Sequence, residues 1–245
     1  MTDAPGNVVQ PIITLWLGVT RPEWFKRMLD SCEIQGVPYE VVWSDATVPS
    51  MILELTRYPN MVRCERVVHD KAAHTYFQAM NALILSITGK YVIYASDDFE
   101  FRPECFKAIQ DTLDVYGHIG AVSCYLSERG LSCRMFEDNG LVLAIRREAL
   151  IEVGGFTTSY EFYSNDTDLT YKLAEARWGV IRVPGACLIH HYVVDEGRAD
   201  HSASLERDRK HFESLWTPAR LALARETFNR YRVEDGPFKC PMHHD

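Results

Sequence analysis

Apolar positions in this chain fall into short continuous runs separated by longer stretches of helical spacing. Residues 12–19, IITLWLGV, are apolar almost throughout and predict a buried strand. In the RPEWFKRMLDSCEIQG that follows, Trp24, Phe25, Met28, Leu29 and Cys32 recur at helical spacing. Pro22 suits the first turn of that helix and Gly36 its end. YEVVWSD, 39–45, predicts a second strand that ends on Asp45. Strand, helix and strand in this order predict a βαβ unit and a parallel sheet.

The rhythm continues with a short helix over 51–58, a strand over 62–68 and a helix over 74–89. That helix carries Tyr76, Phe77, Met80, Leu83 and Ile84 on one face and is expected to close at Gly89. A strand over 91–96 and a Pro-started helix over 103–117 complete the first half. The second half predicts strands over 119–126 and 140–147, a short helix over 148–156 and a helix over 165–179. Residues 180–193 read as a strand pair or one long bent strand. The charged stretch 203–233 reads as helix, interrupted near Pro218. The whole predicts one compact α/β domain over 11–195, with a helical extension over 196–245 packed on it and a disordered segment over 1–10.

Composition adds bounds. With 245 residues, 47% hydrophobic and 24% charged, the chain is an ordinary globular sequence with a sizeable core. It holds no apolar run near the ~18 residues that span a bilayer, and its first ten residues lack the features of a signal peptide, so a cytoplasmic protein is expected. A net charge of -8 disfavours a general basic grip on nucleic acid. Seven cysteines without a CxxC pair predict reduced, mostly buried thiols.

Candidate chemistry lies at the ends of the predicted strands, where parallel α/β sheets bind ligands. YVIYASDDFEF, 91–101, runs an apolar strand into Asp97 and Asp98, with Glu100 close behind. Adjacent carboxylates repel, so they face water or share a positive charge. The pair reads as a turn, or as a site for a hard divalent cation such as Mg²⁺ or Mn²⁺. His190 and His191 end a later apolar run; one imidazole could complete such a site, and the period of two lets only one of them face it. Asp166 and Asp168, in SNDTDLTYKL, read as helix-start acids or as a general base. Asp45 reads as a turn residue or a ribose or base contact, and Lys71 and His74 as polar loop residues. GxGxxG, GxxxxGK[ST] and GxSxG are all missing, which argues against a dinucleotide cofactor, a P-loop and the common α/β-hydrolase site.

Taken in chain order, IITLWLGVTRPEW, YEVVWSDAT, QAMNALILSITGKYVIYASDD, REALIEVGGF, YSNDTDL and CLIHH resemble a family 2 glycosyltransferase with the GT-A fold, over residues 11 to 195. The resemblance implies a central, mostly parallel sheet flanked by helices. It implies a metal-dependent transfer of sugar from a nucleotide-diphosphate donor, UDP-linked, to an acceptor hydroxyl with inversion. Asp98 with His190 or His191 would hold Mn²⁺ or Mg²⁺, and Thr20, Asp45, Lys71, Asn81 and Asp97 would line the donor. Asp166 would be the base, with Asp168 as the alternate. Ser96 stands where the family has the first acid of its metal motif, Asn165 replaces its Glu, and Leu17 and Thr20 stand for its Pro and Asn. A nucleotidyltransferase ranks lower, because the first loop has a single Gly and a single Arg. A non-catalytic nucleotide-sugar-binding protein is the other reading. The acceptor stays open among a glycan, a lipid-linked sugar, a small molecule, a protein side chain and a hydroxylated nucleobase in DNA. Homo-oligomerisation is open as well.

Overall fold

A computed structural model describes residues 10–45, 57–68, 75–127, 143–161, 163–191 and 202–231. The expected disordered N-terminus, most of the helix expected over 51–58, Lys71 and His74 lie outside the described residues. Among the described residues, eight strands form one sheet in the order β3-β2-β1-β4-β7-β6-β8-β5. They are β1 (Ile13–Val19), β2 (Tyr39–Asp45), β3 (Met61–Val68), β4 (Tyr91–Tyr94), β5 (Phe99–Phe101), β6 (Ile119–Ser127), β7 (Leu143–Arg146) and β8 (Gly179–His190). β3, β2, β1 and β4 pair in parallel, as do β6 and β8, while β7 and β5 run antiparallel to their neighbours. The sheet is therefore mixed and mostly parallel, as expected from the sequence.

Seven helices accompany it among the described residues: α1 (Pro22–Glu33), α2 (Tyr76–Leu83), α3 (Cys105–Val115), α4 (Arg147–Glu152), α5 (Asn165–Glu175), α6 (Ser202–Leu215) and α7 (Pro218–Arg230). Alternation along the strands sends side chains to two cores. Leu15, Leu17, Val41 and Ile93 join Phe25, Met28, Phe106 and Ile109 of α1 and α3. Trp16, Val42 and Val92 join Phe77, Met80, Leu169, Leu173, Ala224 and Phe228 of α2, α5 and α7. Residues of the C-terminal helices thus share a core with the sheet.

Two elements differ from the sequence expectation, and a third settles a choice it left open. α2 starts on a capping box between Thr75 and Gln78 but ends at Leu83, and a 3-10 turn over Ile84–Ser86 replaces its last turns. Gly89 does not cap a helix. A Cβ there would lie 2.4 Å from the Thr14 hydroxyl and 2.9 Å from its backbone nitrogen, so the residue permits close backbone approach. β5, three residues long, gave no periodic signal of its own and forms by pairing with β8. β8 is a single long strand with an irregularity in its pairing to β6, which resolves the choice left open over 180–193 in favour of one bent strand.

Glu40 anchors the end of the sheet where β1 and β2 begin. Wholly buried, it accepts from the Thr14 hydroxyl at 2.6 Å, Thr88 N at 2.6 Å, the Thr88 hydroxyl at 2.7 Å, Gly89 N at 2.9 Å and Arg63 at 2.7 Å. Burial would raise its pKa, but these bonds together hold it below the usual range.

Candidate active site

The opposite end of the sheet, where β1 and β4 finish, carries the acid pair. Asp97 and Asp98 follow β4 in a turn, and each is only 2% exposed. Asp97 Oδ2 accepts from Thr20 N at 2.8 Å, the Thr20 hydroxyl at 3.1 Å and Arg21 N at 2.8 Å. Its Oδ1 accepts from Arg21 Nε at 3.0 Å and from Nη2 of the same guanidinium. The remaining arm of Arg21, Nη1, lies 3.0 Å from Asp98 Oδ2. One guanidinium therefore spans both carboxylates, and the positive charge that two buried acids require comes from the chain itself. Sequence reasoning passed over Arg21. Its signal was an Arg two residues past the end of β1, the strand that lies beside β4 in the sheet.

Asp98 has further partners. Oδ1 accepts from the Ser96 hydroxyl at 2.6 Å and lies 3.3 Å from His190 Nε2. Burial would raise this carboxyl, but the bonds from His190 and Ser96 and the charge of Arg21 hold it well below the ordinary range. Ser96, the departure from the familiar acid, thus acts as a donor that orients Asp98. His190 is the imidazole that faces the pair. His191 donates its backbone N–H to Asp98 O at 3.1 Å but turns its ring to Glu100, 2.9 Å away, and to Trp24 at 4.8 Å between centroids. Glu100 also pairs with Arg27 at 3.0 Å.

Asp98 and His190 are the residues here that could hold a divalent cation together with a phosphate. Asp98 and His190 bring one carboxylate oxygen and one imidazole nitrogen to the same point, while Asp97 is spent on Thr20 and Arg21. Among the described residues, no group of three or more His, Cys, Asp or Glu side chains is placed to hold a metal ion. Such a two-residue set would leave the other coordination positions to phosphate and water, and its imidazole fits Mn²⁺ better than Mg²⁺, which is usually held by carboxylates and phosphates.

The two acids of α5 have separate environments. Asp166 is buried, and its carboxylate accepts from Thr167 N at 2.7 Å. Burial outweighs that bond and raises its pKa above the usual range. Asp166 also lies within electrostatic reach of Tyr94, the last residue of β4. Burial first, then Tyr76 and the charge of Asp166, push the Tyr94 hydroxyl well up. Asp168 is tied down by comparison. It accepts from the Thr157 hydroxyl at 2.6 Å, Trp216 Nε1 at 2.7 Å and the Tyr160 hydroxyl at 3.4 Å. A carboxylate held by donors from three separate residues anchors structure, whereas the amide of Thr167 and its hydroxyl, at 3.4 Å, both fall on one oxygen of Asp166.

Other candidate residues sit differently. Asn81 is committed to the Phe156 backbone, donating to its carbonyl at 2.7 Å and accepting its N–H at 2.8 Å. Asp45 closes β2 beside Val19 of β1, but its side chain, like Lys71, lies outside the described residues. On α6, Arg209 and Lys210 pair with Glu206, and Arg209 also with Glu213, so its outer face is a solvated charge lattice.

The sheet topology is that of the GT-A fold. Among the solved structures that share it are the following three. A mannosyltransferase from Pyrobaculum calidifontis, solved with GDP-Man and Mn²⁺, superposes at a TM-score of 0.58 with 18% identity, over 89% of this chain and 74% of its own. GalNAc-T7, solved with UDP, GalNAc and Mn²⁺, gives 0.62 at 13% identity over 83% of this chain and 48% of its own. TarS of S. aureus, solved with UDP-GlcNAc, gives 0.53 at 13% over 75% and 56%. In sequence, the chain is 40% identical over 68 residues to the N-acetylglucosaminyl-diphospho-decaprenol L-rhamnosyltransferase of Mycobacterium tuberculosis. That match spans 27% of this chain and 22% of the relative. No protein-family model matches the chain. No helix among the described residues is long and apolar enough to cross a membrane.

Proposed function

We propose that the protein is a glycosyltransferase that moves a sugar from a nucleotide-diphosphate donor, UDP-linked in our reading, to an acceptor hydroxyl with inversion. One observation carries the proposal: Asp98 and His190, 92 positions apart in sequence, meet 3.3 Å from each other at the strand ends of a GT-A sheet. Thr20, Arg21 and Asp97 form one rigid unit beside them and shape the floor on which the diphosphate would lie. A divalent cation held by Asp98 and His190, Mn²⁺ or Mg²⁺, would neutralise charge on the departing diphosphate. Asp45, at the end of β2, is the residue we assign to the ribose or base. Asp166 takes the proton from the acceptor hydroxyl. Burial makes its carboxylate more basic than a solvated one. Asp168 keeps α5 in place and takes no proton.

A thermal-shift screen of UDP-, GDP- and dTDP-sugars with and without Mn²⁺ or Mg²⁺ tests donor and metal together. At about a hundred times Kd, the cognate donor should raise Tm by roughly 5–10 °C, with most of the gain needing the metal. Asp98→Asn should abolish the metal-dependent part. A full shift from a nucleotide without metal, unaltered in Asp98→Asn, would overturn the metal assignment.

A further inference from the structure

The turn that delivers Asp166 is strained. Ser164, a non-glycine residue two positions before it, sits in the left-handed region at φ 63°. Such a conformation persists where the surroundings over-determine it, and here part of the surroundings comes from α6. Asp208, on α6, is 1% exposed, and its two oxygens accept from Glu161 N at 3.0 Å and Tyr163 N at 2.7 Å. His211, one turn further, lies 2.6 Å from the Ser159 hydroxyl and packs its ring on Tyr160 at 5.0 Å. From inside the turn, Asp168 N donates to Ser164 O at 2.8 Å.

We propose that Asp208 is a positioning residue for the reaction, a carboxylate clamp by which the C-terminal helix fixes the backbone that presents Asp166. This rests on the transferase reading above. A buried carboxylate spent on two loop N–H groups costs desolvation that an apolar residue would avoid, so its return is the geometry of the turn. Asp208 touches neither donor nor acceptor in this account. Its loss lets the turn relax and moves Asp166 off the line of proton transfer, and displacements of about 1 Å can cost on the order of 10²-fold in rate.

The test compares Asp208→Ala, Asp208→Asn and Arg209→Ala, each assayed well below its own Tm. Among the described residues, Arg209 pairs with surface acids of its own helix, and it serves as the control. We expect kcat to fall roughly 100-fold in Asp208→Ala and roughly 10-fold in Asp208→Asn, which keeps one acceptor oxygen. Donor KM should stay within about twofold of the parent, and Arg209→Ala should keep parental kcat. Hydrogen exchange should show the amides of Glu161 and Tyr163 protected in the parent and released in Asp208→Ala. An unchanged kcat in folded Asp208→Ala, a rise in KM at constant kcat, or continued protection of both amides would overturn the clamp. If the parent turns over no sugar nucleotide, the transferase reading fails, and the exchange experiment still decides on its own whether Asp208 holds the turn.

Discussion

Three carboxylates show how environment divides labour among residues of one type. Asp97 is saturated by Thr20 and Arg21, Asp98 is shared among Arg21, Ser96 and His190, and Asp166 is buried and bonded from Thr167. The pKa directions follow, with Asp98 low and Asp166 high. For a carboxyl raised in the folded state, the charged form carries a cost at neutral pH that acidification relieves. Asp166→Asn should therefore melt no lower than the parent at pH 7, while turnover drops about 10²- to 10⁴-fold. The acid limb of the parental kcat profile should lie above the ~4 of an ordinary Asp. Melting curves and a pH-rate profile read both, and near-parental turnover would remove Asp166 from the mechanism. The sequence pointed to Asp98 and Asp166 through their places at element ends. The resemblance ranks Asp166 over Asp168, but the physical difference between them was not legible, because it lies in Thr157 and Trp216, the second of them 48 residues away.

At the level of elements, the sheet has a structural end and a chemical end. Glu40 ties β1, β2 and the turn before β4 together at one end, and Asp97 and Asp98 sit at the other, a strand length of about 20 Å away. Glu40→Gln should cost about 2–4 kcal/mol, since it leaves Arg63 and the Thr88 and Gly89 amides with a poorer acceptor. The Glu40 pKa is depressed in the fold, so this stability is present above the ordinary Glu value and fades as pH falls through the folded one. Urea melts at pH 7 and 4 should show the parent–mutant gap narrowing on acidification. Nucleotide affinity by calorimetry should stay parental, and a loss of affinity would show that the two ends are coupled. Most elements were legible as apolar runs or helical faces. The exceptions have local causes. The third turn of α2 yields to a 3-10 turn, and β5 is too short to carry a period and exists because β8 offers it an edge.

Across the whole molecule, the C-terminal helices are part of the site's framework. Trp216, 2% exposed, binds Asp168; Arg220 pairs with Glu175 at 2.6 Å; and Tyr231 stacks on His118 at 4.8 Å between centroids. Read from sequence, this segment was a charged helical extension. Its outward charges dominate the pattern, while the three residues that matter most, Asp208, His211 and Trp216, are buried or turned inward singly. The GT-A architecture was legible because six short motifs fall in chain order. The cation between the acids was not, since Arg21 meets them only once β1 and β4 are side by side. The central claim is that this framework cleaves a sugar from a nucleoside diphosphate. Product analysis after incubation with a panel of sugar nucleotides, Mn²⁺ and simple acceptors tests it most directly. The account predicts release of nucleoside diphosphate with inversion at the anomeric carbon, abolished in Asp98→Asn and Asp166→Asn. Release of pyrophosphate instead, or tight nucleotide binding with no conversion of any donor, would contradict it.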